Sequence, residues 1–325
     1  MTPAAPVKVV YVSGFGRSGS TIVEGLLQSR YAASGLGEIF FLWERGVLRN
    51  ELCGCGLRFR ECPFWSEVLR EGFGRVTEYD ARVYDAAFKR ARGRRPQLAS
   101  IREVQPATAL FRDVAGTLYG ALGKKLGDEA LIDSSKYPLF GAWLAQTPGI
   151  DISVLHLFRD PRAVTYSWSL PKFRPESVGD QDYMGVSRTP FSAVWRWKWF
   201  NHWSDELREG FDLSSALVSY EKFCDEPEAH LHAIAAALGL KPRQKPKGDW
   251  HSVSGNPVRF TSDTFEIQKD ERWRQDMART SRLLAAMLCG AQHRRLRRGA
   301  AEFLESLAPD SVGTRSLQGR NASTT

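Results

Sequence analysis

The chain has 325 residues, a formal net charge of +8, 42% hydrophobic residues and five cysteines. That length suffices for a sizeable core in one large domain or two small ones, and no apolar run reaches membrane-spanning length, which excludes stable insertion as a helix. The positive balance fits either solvated cationic faces or attraction of an anionic ligand; no nucleic-acid-binding motif accompanies it, so a nucleic-acid partner is not expected.

Residues 7–13 form an apolar run and predict a buried strand. Because a glycine-rich loop follows at once, with no cleavage site, this run is not read as a signal peptide. The loop is Gly14-Phe15-Gly16-Arg17-Ser18-Gly19-Ser20-Thr21. It has the frame of a phosphate-binding P-loop, and Ile22, Val23, Leu26 and Leu27 follow at helical spacing. Strand, glycine turn and helix N-terminus together make an anion site from backbone N–H groups and the helix dipole. A nucleotide hydrolase needs lysine at the seventh position of the frame. Here Ser20 stands there, and the cation, Arg17, lies inside the loop.

Residues 31–38 predict a short strand and loop. Residues 64–128 read as mostly helical, an insertion before the next sheet strand. Strands are expected at 130–133 and 152–158. Arg159 then sits at the carboxyl end of a strand, where open α/β sheets bind ligands. Asp160 and Pro161 predict a helix start, as N-cap and first-turn residue, and Ser167 lies about two turns along that helix. An Arg and a Ser so placed can share a second phosphate; the same residues also fit a plain strand-to-helix turn.

A helix is expected over 191–209, where Trp195, Trp199 and Trp203 recur every four residues and share a face. That face is either a core stripe or a ceiling for an apolar acceptor. A strand over 213–219 and a helix over 226–238, ended by Gly239, follow. From residue 309 the chain is Ser, Thr, Gly and Asn with almost nothing to bury, so a disordered tail is expected over 309–325. Alternating strand-like and helical runs argue an α/β chain.

Cys53, Cys55 and Cys62 raise a metal reading, but structural zinc takes four ligands and no histidine is near in sequence. No metal site is therefore assigned. Cys224 and Cys289 are expected to be packing residues. Arginine clusters at 89–95 and 294–298 are read as solvated surface, with nucleic acid, an anionic glycan or a membrane face as the sharper alternatives.

Taken together, the loop and the Arg159/Ser167 pair resemble the motifs of sulfotransferases that use 3′-phosphoadenosine-5′-phosphosulfate (PAPS). The resemblance runs over residues 7–275 and implies a three-layer α/β/α fold: a central parallel sheet, P-loop NTPase-like, with the helical insertion. It implies that Gly16, Arg17, Ser18, Gly19, Ser20 and Thr21 hold the 5′-phosphosulfate, and that Arg159 and Ser167 hold the 3′-phosphate. Gly35-Leu36-Gly37-Glu38 is similar to the Gly-Glu segment of tyrosylprotein-type members, which makes Glu38 the catalytic base. The segment at 132–138 resembles their Lys-x-Pro segment, which makes Lys136 a catalytic cation beside Arg17. The segment at 218–223 resembles their Tyr-Glu segment, whose tyrosine, here Tyr220, contacts the nucleotide. The segment at 252–259 resembles the late cofactor loop of bacterial members and brings in Gly255, Asn256 and Arg259.

Two positions depart from the pattern. Pro171 stands where the tyrosylprotein type has a further arginine, and no histidine answers the base of the cytosolic type. The acceptor type is left open.

The resemblance further implies sulfuryl transfer without a required metal, PAPS and its product 3′,5′-adenosine diphosphate (PAP) as ligands, and a hydroxyl acceptor. The absence of the membrane anchor seen in Golgi relatives implies a cytoplasmic enzyme, and the Arg- and Ala-rich bias a bacterial one. A small molecule, lipid or glycoside is expected as acceptor, walled by the insertion's Phe64, Trp65, Tyr79, Tyr84 and Phe88 and by the tryptophan helix. The rival readings are a P-loop kinase or NTPase, with Leu131-Ile132-Asp133 resembling a magnesium-holding strand, and a non-catalytic anion- or nucleic-acid-binding module on the same sheet.

Overall fold

The computed structural model describes residues 5–92, 106–127, 129–173, 183–184, 189–244, 248–256, 260 and 267–307. Arg259, Arg94, Arg95 and the tail at 309–325 lie outside the described residues.

β1 (Val7–Ser13) is buried on both faces from Val9 onward, which is why Val9 to Val12 read as a continuous apolar run. It pairs in parallel with β3 (Ala130–Lys136) on one side and β4 (Ile150–Phe158) on the other. β2 (Ala33–Gly35) adds to β3, and β7 (Ser215–Ser219) adds to β4, giving a five-stranded parallel sheet in the order β2-β3-β1-β4-β7. A separate antiparallel ribbon joins β5 (Lys172–Phe173) to β6 (Tyr183–Met184).

Alternate residues of β1 face two helix layers. Val10 and Val12 pack with α1 (Ser20–Arg30) and α9 (Pro227–Ala237) through Val23, Leu27, Leu231 and Ile234. Val9 and Tyr11 face the other layer, which contains α4 (Ala109–Leu126), α5 (Pro138–Leu144) and α7 (Pro190–Gly210). β1 therefore leads into a helix on one face, while β4 leads through α6 (Pro161–Ser169) to α7 on the other. The crevice beyond the carboxyl ends of β1 and β4 is a topological switch point, where open α/β sheets bind ligands.

The region expected as helical contains α2 (Pro63–Phe73) and α3 (Glu78–Arg90) ahead of α4. Thr77 and Asp80 close a reciprocal capping box on α3, and the Thr108 hydroxyl caps α4. The aromatic side chains of this region are consumed by its own packing. Trp65 stacks on Phe59, Phe88 meets Phe111 and Phe140, Tyr84 meets Trp43, and Tyr79 points to solvent. None of these rings lines the cavity described below, where they were expected to form an acceptor wall.

The tryptophan face of α7 divides. Trp199 and Trp203 pack against each other with ring centroids 3.8 Å apart and planes tilted by 53° in the main core, whereas Trp195 is 45% exposed beside Phe191. The core stripe is thus two residues long. α11 (Arg279–Ser306) lies against α6, α7 and β7 through Ala285, Cys289, Leu296 and Ala300. The short α8 (Tyr220–Asp225) and α10 (Trp273–Asp276) complete the described α-helices. No helix among the described residues is long and apolar enough to cross a membrane.

Candidate active site

The loop after β1 turns where only glycine fits. A Cβ on Gly14 would lie 2.3 Å from the Leu157 carbonyl oxygen. Gly19 caps α1 at φ +85°, and a Cβ there would lie 2.3 Å from the Tyr220 ring. The close approach brings Tyr220, the first residue of α8, against the start of α1. At this N-terminus the Ile22 and Val23 amides donate to the Gly19 carbonyl at 3.0 and 3.2 Å, which leaves the Ser20 and Thr21 amides of the first turn as the groups a helix N-terminus offers to an anion. The Ser18 hydroxyl donates to the Phe15 carbonyl at 2.8 Å, so it shapes the loop from within and does not line the cavity.

Arg17 holds a left-handed backbone, φ 74°, unusual for a residue with a side chain. Its guanidinium lies 5.0 Å from the centroid of the Trp168 ring, while the Trp168 indole N–H donates to the Gly16 carbonyl at 3.2 Å. Burial pushes the Arg17 pKa down, and the nearby Glu38 carboxylate opposes that shift.

The second anchor comes from β4 and α6. The Asp160 carboxylate accepts from the Arg162 amide at 2.8 Å and caps α6, with Pro161 in its first turn, as read from sequence. Glu221, beside Tyr220, accepts from the Asp160 amide at 2.8 Å and so fixes the strand end. Arg159 is nearly buried. Its guanidinium donates to the carbonyls of Arg17 at 3.3 Å and Asp270 at 3.0 Å, and lies 4.9 Å from the centroid of the Tyr220 ring. The two anticipated phosphate segments are therefore in direct contact.

The third part stands at the end of β3. Lys136 has φ 72°, a conformation costing about 1–3 kcal/mol that recurs at functional sites. Its Nζ donates to Glu38 Oε1 at 2.6 Å and to the Ser134 carbonyl at 2.7 Å. Glu38 is in turn set by the late loop, because its amide donates to the Val253 carbonyl at 2.7 Å. The Asn256 amide of the same loop points at Thr21 Oγ1, 3.4 Å away.

All three parts open into one cavity of about 400 Å³. Its lining includes Gly16, Arg17, Gly19, Ser20, Thr21, Glu38, Lys136, Arg159, Ser167, Tyr220, Gly255 and Asn256. Of the candidate residues within the described part of the chain, only Ser18 is absent from it. Sequence reading did not anticipate Trp168, Asp270 and Arg272, which also line it. Trp168 follows Ser167 directly; Asp270 and Arg272 carry no local pattern that would have singled them out.

A buried carboxylate escaped the sequence reading altogether. Glu24, on α1, accepts from the Gly37 amide at 2.7 Å and from the Ser134 hydroxyl at 2.5 Å. It thereby joins the residues preceding Glu38 and Lys136. Burial raises its pKa from 4.5 to about 7. A carboxyl group with a raised folded-state pKa loses stability as pH climbs from the unfolded value to the folded one. Glu24→Gln, which mimics the protonated form, is expected to gain stability relative to the native chain between pH ~4.5 and ~7, by roughly 3 kcal/mol at the upper end. Thermal melts of both proteins across that window check this; parallel curves would remove the buried-acid assignment.

Asp133 bears on the NTPase reading. Its carboxylate is fully buried and accepts from Tyr119 Oη at 2.6 Å, the Ser135 hydroxyl at 2.5 Å and the Ser135 amide at 2.9 Å. It does not line the cavity, so the magnesium role foreseen for it has no support in the geometry. His156, expected inside a strand, lies on β4, buried against Asn201 and Asp205.

No protein-family model matches the chain, and no curated protein does. Among solved structures, sulfotransferase STF1 from Mycobacterium tuberculosis H37Rv is similar with a TM-score of 0.44 at 15% sequence identity, over 88% of this chain and 77% of that one.

Proposed function

We propose that the chain is a sulfotransferase that moves a sulfuryl group from PAPS to an acceptor hydroxyl. The reading is carried by one observation: a P-loop whose cation is Arg17, a second anchor at Arg159 and Ser167, and the Glu38–Lys136 pair all line the same cavity. The cavity's chemistry fits the donor. It offers a helix N-terminus and Arg17 for one phosphate group, Arg159 and Ser167 for another, and the Tyr220 ring between them.

When bound, PAPS supplies the sulfuryl group and a phosphate leaving oxygen on which charge develops through a loose in-line transition state. Glu38 takes the acceptor's proton, since a hydroxyl is a poor nucleophile until a base is within hydrogen-bond reach. Lys136 and Arg17, with the amides of Ser20 and Thr21, stabilise the charge on the leaving oxygen. Lys136 also positions Glu38 through their 2.6 Å contact, so base and cation are set by one interaction. Arg159 and Ser167 contribute binding rather than chemistry. Incubating cell extract with enzyme and PAPS, then seeking products heavier by one SO3, tests the assignment; no such product in any extract counts against it.

Among the described residues, the apolar walls of the cavity include Ile22, Trp168, Leu170 and Pro171, and we take these as the acceptor side. These apolar walls suit a small hydroxylated molecule. The rival is an anionic glycan, favoured by Arg92, whose guanidinium lies 5.2 Å from the centroid of the Tyr137 ring next to Lys136. Reversing charge at Arg92, Arg94 and Arg95 is expected to leave transfer to the native acceptor within about threefold, the scale of a surface-charge effect. Loss of transfer with PAPS binding intact would replace the apolar acceptor by the anionic one.

A further inference from the structure

Apart from the cavity, three cysteines that the sequence left without a fourth partner acquire one. Cys53 and Cys55 lie on a tight turn, Cys62 directly precedes α2, and His251 arrives from the late loop, 189 residues beyond Cys62. The four potential ligand atoms all lie within 4.8 Å of one another. Cys55 Sγ is 3.7 Å from Cys62 Sγ, and His251 Nδ1 is 3.3 Å from Cys62 Sγ and 3.9 Å from Cys53 Sγ.

Those separations are the edges of a coordination tetrahedron. Zinc bound tetrahedrally at about 2.3 Å from sulfur and about 2.0–2.1 Å from nitrogen sets two sulfurs about 3.8 Å apart and sulfur from nitrogen about 3.5 Å apart. A disulfide is a poorer description, since its sulfurs sit about 2.05 Å apart. The His251 ring is also pre-oriented: Phe64 stacks on it with centroids 4.6 Å apart and planes 1° from parallel.

We propose that Cys53, Cys55, Cys62 and His251 form a structural zinc site of the Cys3His type. Four protein ligands leave no open position, the arrangement of structural rather than catalytic zinc. The ion would clamp the late loop to the turn before α2. The two segments already meet through the Gly54 amide, which donates to the Ser252 carbonyl at 3.0 Å. Val253, two residues past His251, donates to the Leu36 carbonyl at 2.8 Å and accepts from the Glu38 amide at 2.7 Å. Zinc at this point therefore fixes the backbone beside Glu38 without touching the cavity.

The test does not depend on sulfuryl transfer. The full chain, purified without chelator, is expected to carry about one zinc per chain by elemental mass spectrometry. After chelation under reducing conditions, thiol titration should show the metal-bound cysteines newly reactive, and thermal stability should fall and recover on adding zinc. Cobalt added to the stripped protein should give thiolate-to-metal charge-transfer bands and tetrahedral d–d bands. Cys55→Ser and His251→Ala, made separately so that one failing to fold leaves the other, should each lose the stoichiometric metal. A native chain with no zinc whose reduced thiols bind neither zinc nor cobalt overturns the proposal, as does a Cys55–Cys62 disulfide in the unreduced protein.

Discussion

Glu38→Gln is expected to cut turnover by roughly a hundredfold or more while leaving PAP affinity within about threefold. The amide keeps the shape of the carboxylate, and its oxygen can still accept from Lys136 Nζ, which donates to Glu38 at 2.6 Å. What disappears is the capacity to take a proton. The charge near Lys136 and Arg17 changes as well, so the binding measurement is the control. Should binding and turnover fall in proportion, Glu38 is a structural partner of Lys136 and not the base.

Arg159→Ala is expected to weaken PAP binding at least tenfold with a smaller effect on 5′-AMP. A hydrogen bond to a charged group is worth about 1.5–3 kcal/mol, so even one lost contact to the 3′-phosphate exceeds a factor of ten. The substitution also removes donors to the Arg17 and Asp270 carbonyls and the stack on Tyr220. A drop that is equal for the two nucleotides would mean that the loop had simply slackened. Arg159→Lys separates the alternatives further, because it keeps the charge and loses the planar fork. Calorimetry with each nucleotide reads all of these.

What the sequence made legible was local in origin. β1 matches its expected span, and β4 begins two residues early, at Ile150. The Asp160–Pro161 helix start was readable because cap and proline act within one turn. The glycine loop was readable because its conformation depends on missing Cβ atoms at Gly14 and Gly19.

What was illegible depended on partners far away. β3 was expected to stop at Asp133, since Ser134, Ser135 and Lys136 carry no strand pattern. It continues because their neighbours are supplied elsewhere: Glu24 for Ser134, the Phe40 amide for Ser135, Glu38 for Lys136. Glu24 itself sits between apolar helix residues, and nothing in its spacing says that it is buried. The aromatics at 64–88 looked available for an acceptor, yet Phe111 and Phe140 claim Phe88 and Phe59 claims Trp65. His251 gave no sign of joining the cysteines, because two loops that meet in space are separated by most of the chain.

The central claim is that the cavity holds one nucleotide through two separate phosphate sites. Titrating the native chain with PAP, 5′-AMP and ATP by calorimetry tests it most directly. The account predicts that PAP binds at least tenfold more tightly than 5′-AMP or ATP. Equal affinity for PAP and 5′-AMP would contradict it, since Arg159 and Ser167 would then have no 3′-phosphate to hold.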